Sequence, residues 1–165
     1  MGSDKAASDW GGVRAIDRVF AVAAAASADP IFSVGVRDYG LPFVPDIHPY
    51  GGPVGGILTG AAALRAAGCE RALVLAVDAP TIRLADLAPL LACPGAGAAF
   101  EGLYLPMAVA LSALTAMLPP DSPIRALIDQ AGLVRLTCPE AARARLRGAN
   151  APREREALLR AMDAP

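Results

Sequence analysis

The sequence is poor in the residues on which several common kinds of site depend. Its 165 residues include three cysteines and one histidine, and only 5% are aromatic. Cys69, Cys93 and Cys138 lie far apart with no Cys-x-x-Cys pair, which argues against a disulfide framework and a cysteine zinc cluster. With His48 as the single histidine, we find neither a metal-binding triad nor a serine–histidine pair. We expect buried free thiols and a loop contact for His48.

Neither a surplus of one charge nor a long apolar segment is present. The formal net charge is −1, whereas nucleic-acid grooves normally carry a basic surplus. Residues 19–28 are apolar, but this run is too short to cross a bilayer and charged residues precede it. We therefore expect no nucleic-acid partner, no membrane association and a cytoplasmic location.

The order of the sequence patterns predicts an α/β fold. A chain of this length fits one domain, residues 1–165, and buries roughly 70% of its unfolded surface without disulfides or metals. Alternating helix and strand patterns with short Gly/Pro segments predict a parallel sheet covered by helices on both faces. The predicted helices are 13–26, 55–67, 84–92, 112–118, 124–130 and 152–162, and the predicted strands are 31–36, 41–44, 72–77, 98–100, 103–109 and 133–136.

Two carboxylates at predicted strand ends are the strongest indication of a binding site. The apolar run 73–77 ends in Asp78-Ala79-Pro80, and Asp46 follows the strand 41–44. Ligands of parallel α/β sheets bind beyond the carboxyl ends of strands. The glycine-rich segment 51–56 lies between the two acids, and glycine lets the backbone approach a ligand closely. The pattern predicts a polyanion site, with the anion held through a metal ion.

Each of these residues also has a purely structural interpretation. Asp78 before Pro80 is compatible with a turn, and Asp46 with an Asx-turn. The segment 51–56 has no Lys-Ser/Thr ending and Pro53 breaks the Gly-x-Gly-x-x-Gly spacing, so it is no Walker A motif. Lys5 is compatible with a solvated terminal tail. The arginines and glutamates between 140 and 160 favour a solvated, salt-bridged helix face over a phosphate site.

Five segments stand out when they are taken together and in order: Met1-Gly2-Ser3-Asp4-Lys5-Ala6, Asp46 with Gly52-Pro53-Val54-Gly55-Gly56, Val77-Asp78-Ala79-Pro80, Leu105-Pro106, and Gly148-Ala149-Asn150-Ala151-Pro152. Together they resemble the MobA-like nucleotidyltransferases, in particular the molybdenum cofactor guanylyltransferases. The resemblance covers nearly the whole chain and implies a Rossmann-like three-layer α/β/α domain of the nucleotide-diphospho-sugar transferase type, with a mostly parallel central sheet.

The resemblance also implies roles for individual residues. Lys5 matches the lysine of the family's Arg-Met-Gly-x-Asp-Lys motif, which holds the guanine nucleotide and its phosphates, and Gly2 and Asp4 match its neighbours. Asp78 matches the aspartate that binds Mg²⁺, and Asp46 matches the one that helps hold the guanosine. Lys5 and Asp78 are thus the expected catalytic residues. The expected substrate-binding set is Gly2, Lys5, Asp46, Gly52, Pro53, Gly55 and Asn150.

Two departures from the family pattern stand out. The family's opening strand and Leu-Ala-Gly-Gly-type loop have no counterpart before Met1, and we expect the genomic reading frame to continue upstream with such a loop. Gly148 stands where the family has the first asparagine of Asn-x-Asn-Thr-Pro-Glu, so that only Asn150 remains of the pair.

The activity implied by the resemblance is Mg²⁺-dependent transfer of GMP from GTP to molybdopterin with release of pyrophosphate. The implied partners are GTP, molybdopterin, and a molybdoenzyme or its chaperone. Other nucleotidyltransferases of the same fold remain as alternatives: a molybdopterin cytidylyltransferase, or a sugar- or cobinamide-phosphate guanylyltransferase. A non-catalytic nucleotide-binding relative without the opening loop is an alternative from a different class.

Overall fold

A computed structural model describes residues 4–49, 52–115, 118–149 and 152–163. Helices and strands alternate along most of the chain, as the sequence predicts. In chain order they are α1 Ala15–Ala25, β1 Ser33–Gly35, β2 Phe43–Pro45, α2 Gly52–Ala66, β3 Arg71–Val74, α3 Leu84–Leu91, β4 Gly97–Phe100, β5 Met107–Ala110, a 3-10 helix Leu111–Ala113, α4 Ile124–Gln130, β6 Val134–Leu136, α5 Glu140–Arg147 and α6 Pro152–Asp163.

The strands form two sheets. β1 and β2 pair in parallel, with Gly35 opposite Pro45. The larger sheet has the order β3-β5-β4-β6; β5 is antiparallel to β3 and β4, and β4 is parallel to β6. β3, β4 and β6 therefore share one direction and only β5 runs against them. The expected mostly parallel sheet is present, with one reversed strand.

Alternation along the central strands divides the core into the two faces of a three-layer fold. Ala99 and Met107 face one apolar cluster, which contains Ile57 of α2 and Leu127 of α4. The neighbouring residues of the same strands face the other cluster. That cluster contains Ala98, Phe100 and Ala108 of the sheet, Leu87 and Leu90 of α3, and Ala142 and Leu146 of α5. Because side chains point alternately to opposite faces of a strand, helices cover the sheet on both sides.

The strand expected at 72–77 is shorter than its apolar pattern predicts. β3 ends at Val74, and only Ala72 within it is buried. The reason lies in its partner: Val74 pairs with Met107, the first residue of β5, and Pro106 before it has no N–H for a further ladder bond. The strand buried throughout is β4. Asp78 consequently lies in a turn beyond the end of β3 instead of directly at it.

Several helix boundaries also differ from the prediction. The helix expected at 112–118 is a single 3-10 turn, Leu111–Ala113, and residues 116–117 lie outside the described ranges. α2 begins at Gly52 and so includes most of the glycine-rich segment, because Pro53 needs no N–H in the first turn. α4 begins after Pro123, its N-cap, which makes no side-chain hydrogen bond.

The C-terminal helix packs against the segment that precedes α1. Leu158 of α6 forms a small cluster with Trp10 and Ala15, and all three are buried. The Arg155 guanidinium lies over the Trp10 ring, 5.4 Å from its centroid, and donates to the carbonyl of Asp9. Arg155 therefore packs within the protein and does not belong to the solvated helix face that the sequence predicts.

The three cysteines are free thiols. Cys138 is buried, and burial raises the pKa of its thiol, whereas Cys69 and Cys93 are half-buried. Within the ranges that the structure describes, none of the helices is both long and apolar enough to span a bilayer.

Candidate functional site

The structure brings together the two residues expected to act in catalysis. The Nζ of Lys5 donates to Oδ2 of Asp78 at 3.1 Å, across 73 positions of the sequence. The Lys5 side chain is 55% exposed and that of Asp78 34%, so both are accessible to a ligand. The contact gives Lys5 a defined place beside Asp78 rather than that of a solvated tail. It therefore creates a charged pair open to solvent, where an ammonium and a carboxylate are held within reach of one another.

The chain segment after α5 packs against the backbone of the turn that contains Asp78. The N–H of Ala149 donates to the backbone carbonyl of Asp78 at 3.3 Å. Gly148 lies against the same carbonyl, with a φ of 71°. The carboxylate of Asp78 can therefore face Lys5 while its backbone is fixed by the C-terminal part of the chain.

Asp4, the neighbour of Lys5, organises the start of the described chain. Its carboxylate accepts the backbone N–H groups of Ala6 at 3.1 Å and Ala7 at 3.4 Å. It also accepts the Tyr39 hydroxyl at 2.8 Å and Nη1 of Arg37 at 2.8 Å. The Tyr39 hydrogen bond, with help from the two backbone donors and the charge of Arg37, lowers the pKa of Asp4 below its ordinary value.

The hydrogen bond between Tyr39 and Asp4 also changes the tyrosine. Burial and the nearby carboxylate both raise the pKa of the Tyr39 phenol. The carboxylate of Asp4 is thus stabilised in its ionised form and the phenol in its neutral form, which suits a hydrogen bond from O–H to O⁻. This pair fixes residues 4–7 against the loop after β1.

Asp46 sits at the carboxyl end of β2 and makes the Asx-turn that the sequence offers as one interpretation. Its Oδ1 accepts the N–H of His48 at 2.9 Å and the hydroxyl of Thr59 in α2 at 3.1 Å. Its own N–H donates to Gly35 of β1 at 2.8 Å. His48 is exposed and packs on the first turns of α2, where its Cβ lies 3.1 Å from the position that a Cβ on Gly55 would take.

The glycine-rich segment differs along its length in what it can offer a ligand. Gly52 and Pro53 are exposed, whereas Gly55 is buried and its N–H donates to the carbonyl of Pro120 at 3.1 Å. The amide of Gly55 therefore already has an acceptor within the protein. Among the described residues of the segment, the open part is Gly52 and Pro53, at the beginning of α2.

These groups follow one another along the carboxyl ends of the strands. Asp4 links Lys5, which contacts Asp78 beyond β3, to Arg37 beyond β1. β1 and β2 are parallel, so the residue after β2, Asp46, lies at the same edge as Arg37. The shared cleft that the sequence predicts for Asp78 and the segment 51–56 stays a prediction: the contacts join Asp78 to Lys5, Asp4 to Arg37, and Asp46 to Gly35.

A surface cleft of about 420 Å³ opens at the carboxyl end of β4. β4 and β3 point the same way and are separated by β5, so the end of β4 is about two strand spacings, on the order of 10 Å, from the end of β3. The cleft extends from there toward β6 and α4. Its lining combines both charges with one aromatic ring: Glu101, Gly102, Tyr104, Arg125, Asp129 and Arg135. Tyr104 is 51% exposed there, which leaves a ring face available for stacking.

The residues at the Lys5–Asp78 pair fit a magnesium ion of the substrate-bridging kind. In the chain as described, no three His, Cys, Asp or Glu side chains group as a metal cage would require. Mg²⁺ usually takes one or two carboxylates and fills its remaining positions with phosphate oxygens and water. A single accessible carboxylate such as Asp78 meets that requirement, whereas Oδ1 of Asp46 already accepts hydrogen bonds from His48 and Thr59.

Two of the expected site residues cannot be compared with the structure. Gly2 and Asn150 lie outside the ranges that it describes. The substrate-binding roles stay predictions for four further residues, whose described contacts are all within the protein: Asp46, Gly52, Pro53 and Gly55.

Some residues of the site did not stand out in the sequence. Arg37 and Tyr39 reach Asp4 from the loop after β1, and the only sequence signal was a polar stretch at a strand end. Arg145, assigned with its neighbours to a solvated helix face, instead forms two hydrogen bonds with the buried carboxylate of Asp86, at 2.9 and 2.6 Å. In the sequence, Gly148 stands out only because the resemblance places an asparagine there.

Comparison with known protein families identifies the domain. The family model of the MobA-like NTP transferase domain matches residues 1–113, a span that contains Lys5, Asp46, α2 and Asp78. α4, β6, α5 and α6 follow that span. No curated protein matches the chain. Since the family model covers more than half of the sequence, the chain belongs to the MobA-like NTP transferase family, whose domain is that of a nucleotidyltransferase.

Proposed function

We propose that this protein is a guanylyltransferase that joins GMP from GTP to molybdopterin and releases pyrophosphate. The observation that carries the proposal is the contact of Lys5 with Asp78 at the carboxyl ends of the strands, within a domain of the NTP transferase family. In the reaction a terminal phosphate oxygen of the acceptor attacks the α-phosphorus of the triphosphate. The bond from that phosphorus to the oxygen of the β-phosphate breaks, and pyrophosphate leaves.

The main obstacle to this reaction is repulsion between two anions. Two unit charges about 4 Å apart repel by on the order of 1 kcal/mol in water and about 4 kcal/mol at an effective dielectric near 20. The ammonium of Lys5 is exposed enough to bind a phosphate oxygen, and its position on the short turn organised by Asp4 limits where it can go. Lys5 would thus bind the triphosphate and stabilise charge that develops on the leaving group.

Asp78 would hold Mg²⁺ together with phosphate oxygens, and the ion would supply charge neutralisation at the reacting phosphate. The Lys5–Asp78 pair fits this role because the two side chains neutralise each other before a ligand arrives. No covalent enzyme intermediate is needed, since positioning and electrostatic stabilisation account for phosphoryl-type transfer.

The nucleoside and the acceptor would occupy opposite parts of the strand ends. The ribose and base would lie toward β1 and β2, where Asp46 and the exposed start of α2 are found. The acceptor would lie toward β4, in the cleft beside Tyr104. A planar heterocycle can stack on an exposed tyrosine ring, and the arginines and carboxylates around it can fix the ring's polar edge.

The test is pyrophosphate release by the purified protein with Mg²⁺, molybdopterin and either GTP or CTP. We expect release with GTP, and we expect Asp78→Asn and Lys5→Met each to lower the rate by about 10²–10³-fold, as loss of a major electrostatic group does. Asp29→Asn is the matched control, because Asp29 is an exposed carboxylate that precedes β1 and so lies away from the strand ends.

The alternatives give different outcomes in the same assay. Release with CTP instead of GTP would identify a cytidylyltransferase, and release only with a sugar phosphate or cobinamide phosphate as acceptor would identify a transferase of that kind. Binding of GTP without turnover, unchanged in Asp78→Asn, would contradict catalysis and favour a nucleotide-binding relative. Delivery of product to a molybdoenzyme or its chaperone belongs to the same proposal, and the transfer of product to such a protein would test it.

A further inference from the structure

Gly148 occupies a place where no other residue fits. Its φ of 71° and ψ of −172° fall in a region of backbone conformation that is essentially restricted to glycine. A Cβ at this position would overlap the carbonyl oxygen of Asp78 and would lie 2.8 Å from the Asp78 carbonyl carbon and 3.1 Å from Cα of Ala79. The backbone at 148 is therefore in direct contact with the backbone of the turn that carries Asp78.

The two chain segments that meet at this contact are joined a second time. Arg145, three positions before Gly148, donates from Nε and Nη2 to both carboxylate oxygens of Asp86. Asp86 lies in the first turn of α3, shortly after the Asp78 turn, and its side chain is 6% exposed. It also accepts the N–H of Arg83 at 3.0 Å. Residues 78–86 and 145–149 are thus connected at both ends.

We infer that Gly148, together with the Arg145–Asp86 ion pair, is a positioning device that holds Asp78 at its contact with Lys5. Arg145 fixes α5 on α3, the absent side chain at 148 lets the following backbone reach the Asp78 turn, and Ala149 donates to the Asp78 carbonyl. The catalytic meaning of this device rests on the proposed function; its geometry does not. Gly148 lies after residues 1–113, the span that the family model matches.

The inference explains the substitution noted in the sequence. Where the resemblance places an asparagine, this chain has glycine, and a Cβ at this position would push the backbone of 148 and of Asp78 apart. Such a displacement would lengthen the 3.1 Å distance between Nζ of Lys5 and Oδ2 of Asp78. A shift of about 1 Å in a reacting group is enough to reduce a rate by about a hundredfold.

The experiment is zero-length carbodiimide cross-linking of the whole protein, which joins a lysine amine to a carboxylate only when the two are in contact. The Lys5–Asp78 cross-linked peptide is quantified by mass spectrometry in wild type, Gly148→Ala and Gly132→Ala. We expect Gly148→Ala to lower the yield by about tenfold or more, since the contact is lost on a small displacement. Gly132→Ala is the matched control: Gly132 also has a positive φ, 65°, but a Cβ there would meet nothing within 4 Å. We expect its yield to equal that of wild type.

A second variant keeps the inference testable if Gly148→Ala does not fold, as judged by circular dichroism. Arg145→Lys keeps the positive charge but removes the two-pronged geometry, and we expect a reduction of about two- to fivefold in cross-linking. Unchanged cross-linking in folded Gly148→Ala, or in Arg145→Lys where Gly148→Ala is unfolded, would overturn the inference. A loss in Gly132→Ala equal to that in Gly148→Ala would also overturn it, by showing a general effect of strain.

Cross-linking is independent of the reaction, so the two proposals can fail separately. If wild type releases no pyrophosphate but Gly148→Ala loses the cross-link, the proposed function is wrong and the positioning device stands. If pyrophosphate is released, we expect Gly148→Ala to lower kcat with little change in KM for the nucleotide, because positioning acts on the reacting group. A raised KM with unchanged kcat would contradict positioning.

Discussion

At the scale of single residues, the carboxylate of Asp4 holds the first described turn of the chain through hydrogen bonds. Asp4 accepts hydrogen bonds from two backbone amides, a phenol and a guanidinium, and so fixes Lys5 beside it. These donors lower the pKa of Asp4, with the Tyr39 hydroxyl as the largest cause. The consequence is that the position of a candidate catalytic lysine depends on the ionisation of its neighbour.

We expect Tyr39→Phe to raise the pKa of Asp4, since the largest of its stabilising hydrogen bonds is removed. The measurement is a carbon-13 NMR titration of the aspartate carboxyl groups. Asp17 is the internal control: the pKa of Asp17 is lowered by Arg14 and should not move. A pKa of Asp4 unchanged by the substitution would contradict the assignment.

The same shift predicts a pH dependence of stability. The pKa of Asp4 in the folded protein lies below its unfolded value of about 3.9, so its contribution to stability is present above about pH 4. That contribution is lost as the pH falls through the folded-state value. In Tyr39→Phe this contribution should be smaller, and its loss should be complete at a higher pH than in wild type, because only the folded-state pKa is raised.

At the scale of secondary-structure elements, an ion pair decides how α5 packs. α5 is rich in arginine, and its exposed residues form surface pairs such as Arg143 with Glu140. Arg145 points the other way, to the buried Asp86 of α3, and its pKa is raised by that hydrogen-bonded partner. Surface pairs contribute little, whereas removal of one partner of a buried pair leaves an uncompensated charge.

We expect Arg145→Met to lower the free energy of unfolding by about 2–3 kcal/mol, somewhat less than for a fully buried pair because Arg145 is 22% exposed. Arg160→Ala is the control, since Arg160 pairs with Glu156 on an open face of α6. Its effect should stay within about 0.5 kcal/mol. Urea denaturation measures both, and equal effects of the two substitutions would show that α5 is not held by this pair.

At the scale of the whole molecule, α6 packs on the first described segment, which contains Trp10. Trp10 is 3% exposed, Leu158 is 7% exposed, and Arg155 lies over the indole ring. Lys5 is a few residues before Trp10, so α6 supports the segment that carries one half of the candidate site. The site thus depends on residues from near both ends of the sequence, although the family match covers only the first part.

We expect Leu158→Ala to destabilise the protein by about 2–3 kcal/mol, because it leaves a cavity beside Trp10. Trp10 is the only tryptophan, so its fluorescence reports this contact directly and should shift to the red in the folded variant. Leu91→Ala is the control, a leucine that is 40% exposed at the end of α3. Coincident urea transitions by fluorescence and circular dichroism would support a single domain, and separate transitions would contradict it.

The amino-acid sequence alone was sufficient for the class of fold, the order of most elements and the candidate pair Lys5 and Asp78. Periodicity and Gly/Pro punctuation are local properties, so α4 and α6 were predicted almost to their ends. The resemblance supplied the family, which the comparison then confirmed over residues 1–113.

Tertiary structure decided what local patterns cannot contain. β3 stops at Val74 because its partner strand begins after Pro106, a fact about pairing and not about the apolar run itself. Arg145 and Arg143 are alike in sequence, yet the Arg145 side chain packs on the buried Asp86 and is 22% exposed, whereas that of Arg143 is 42% exposed. The difference depends on which element packs opposite. Gly148 needs to be glycine because the backbone of Asp78, 70 positions earlier in the sequence, fills the space of a side chain.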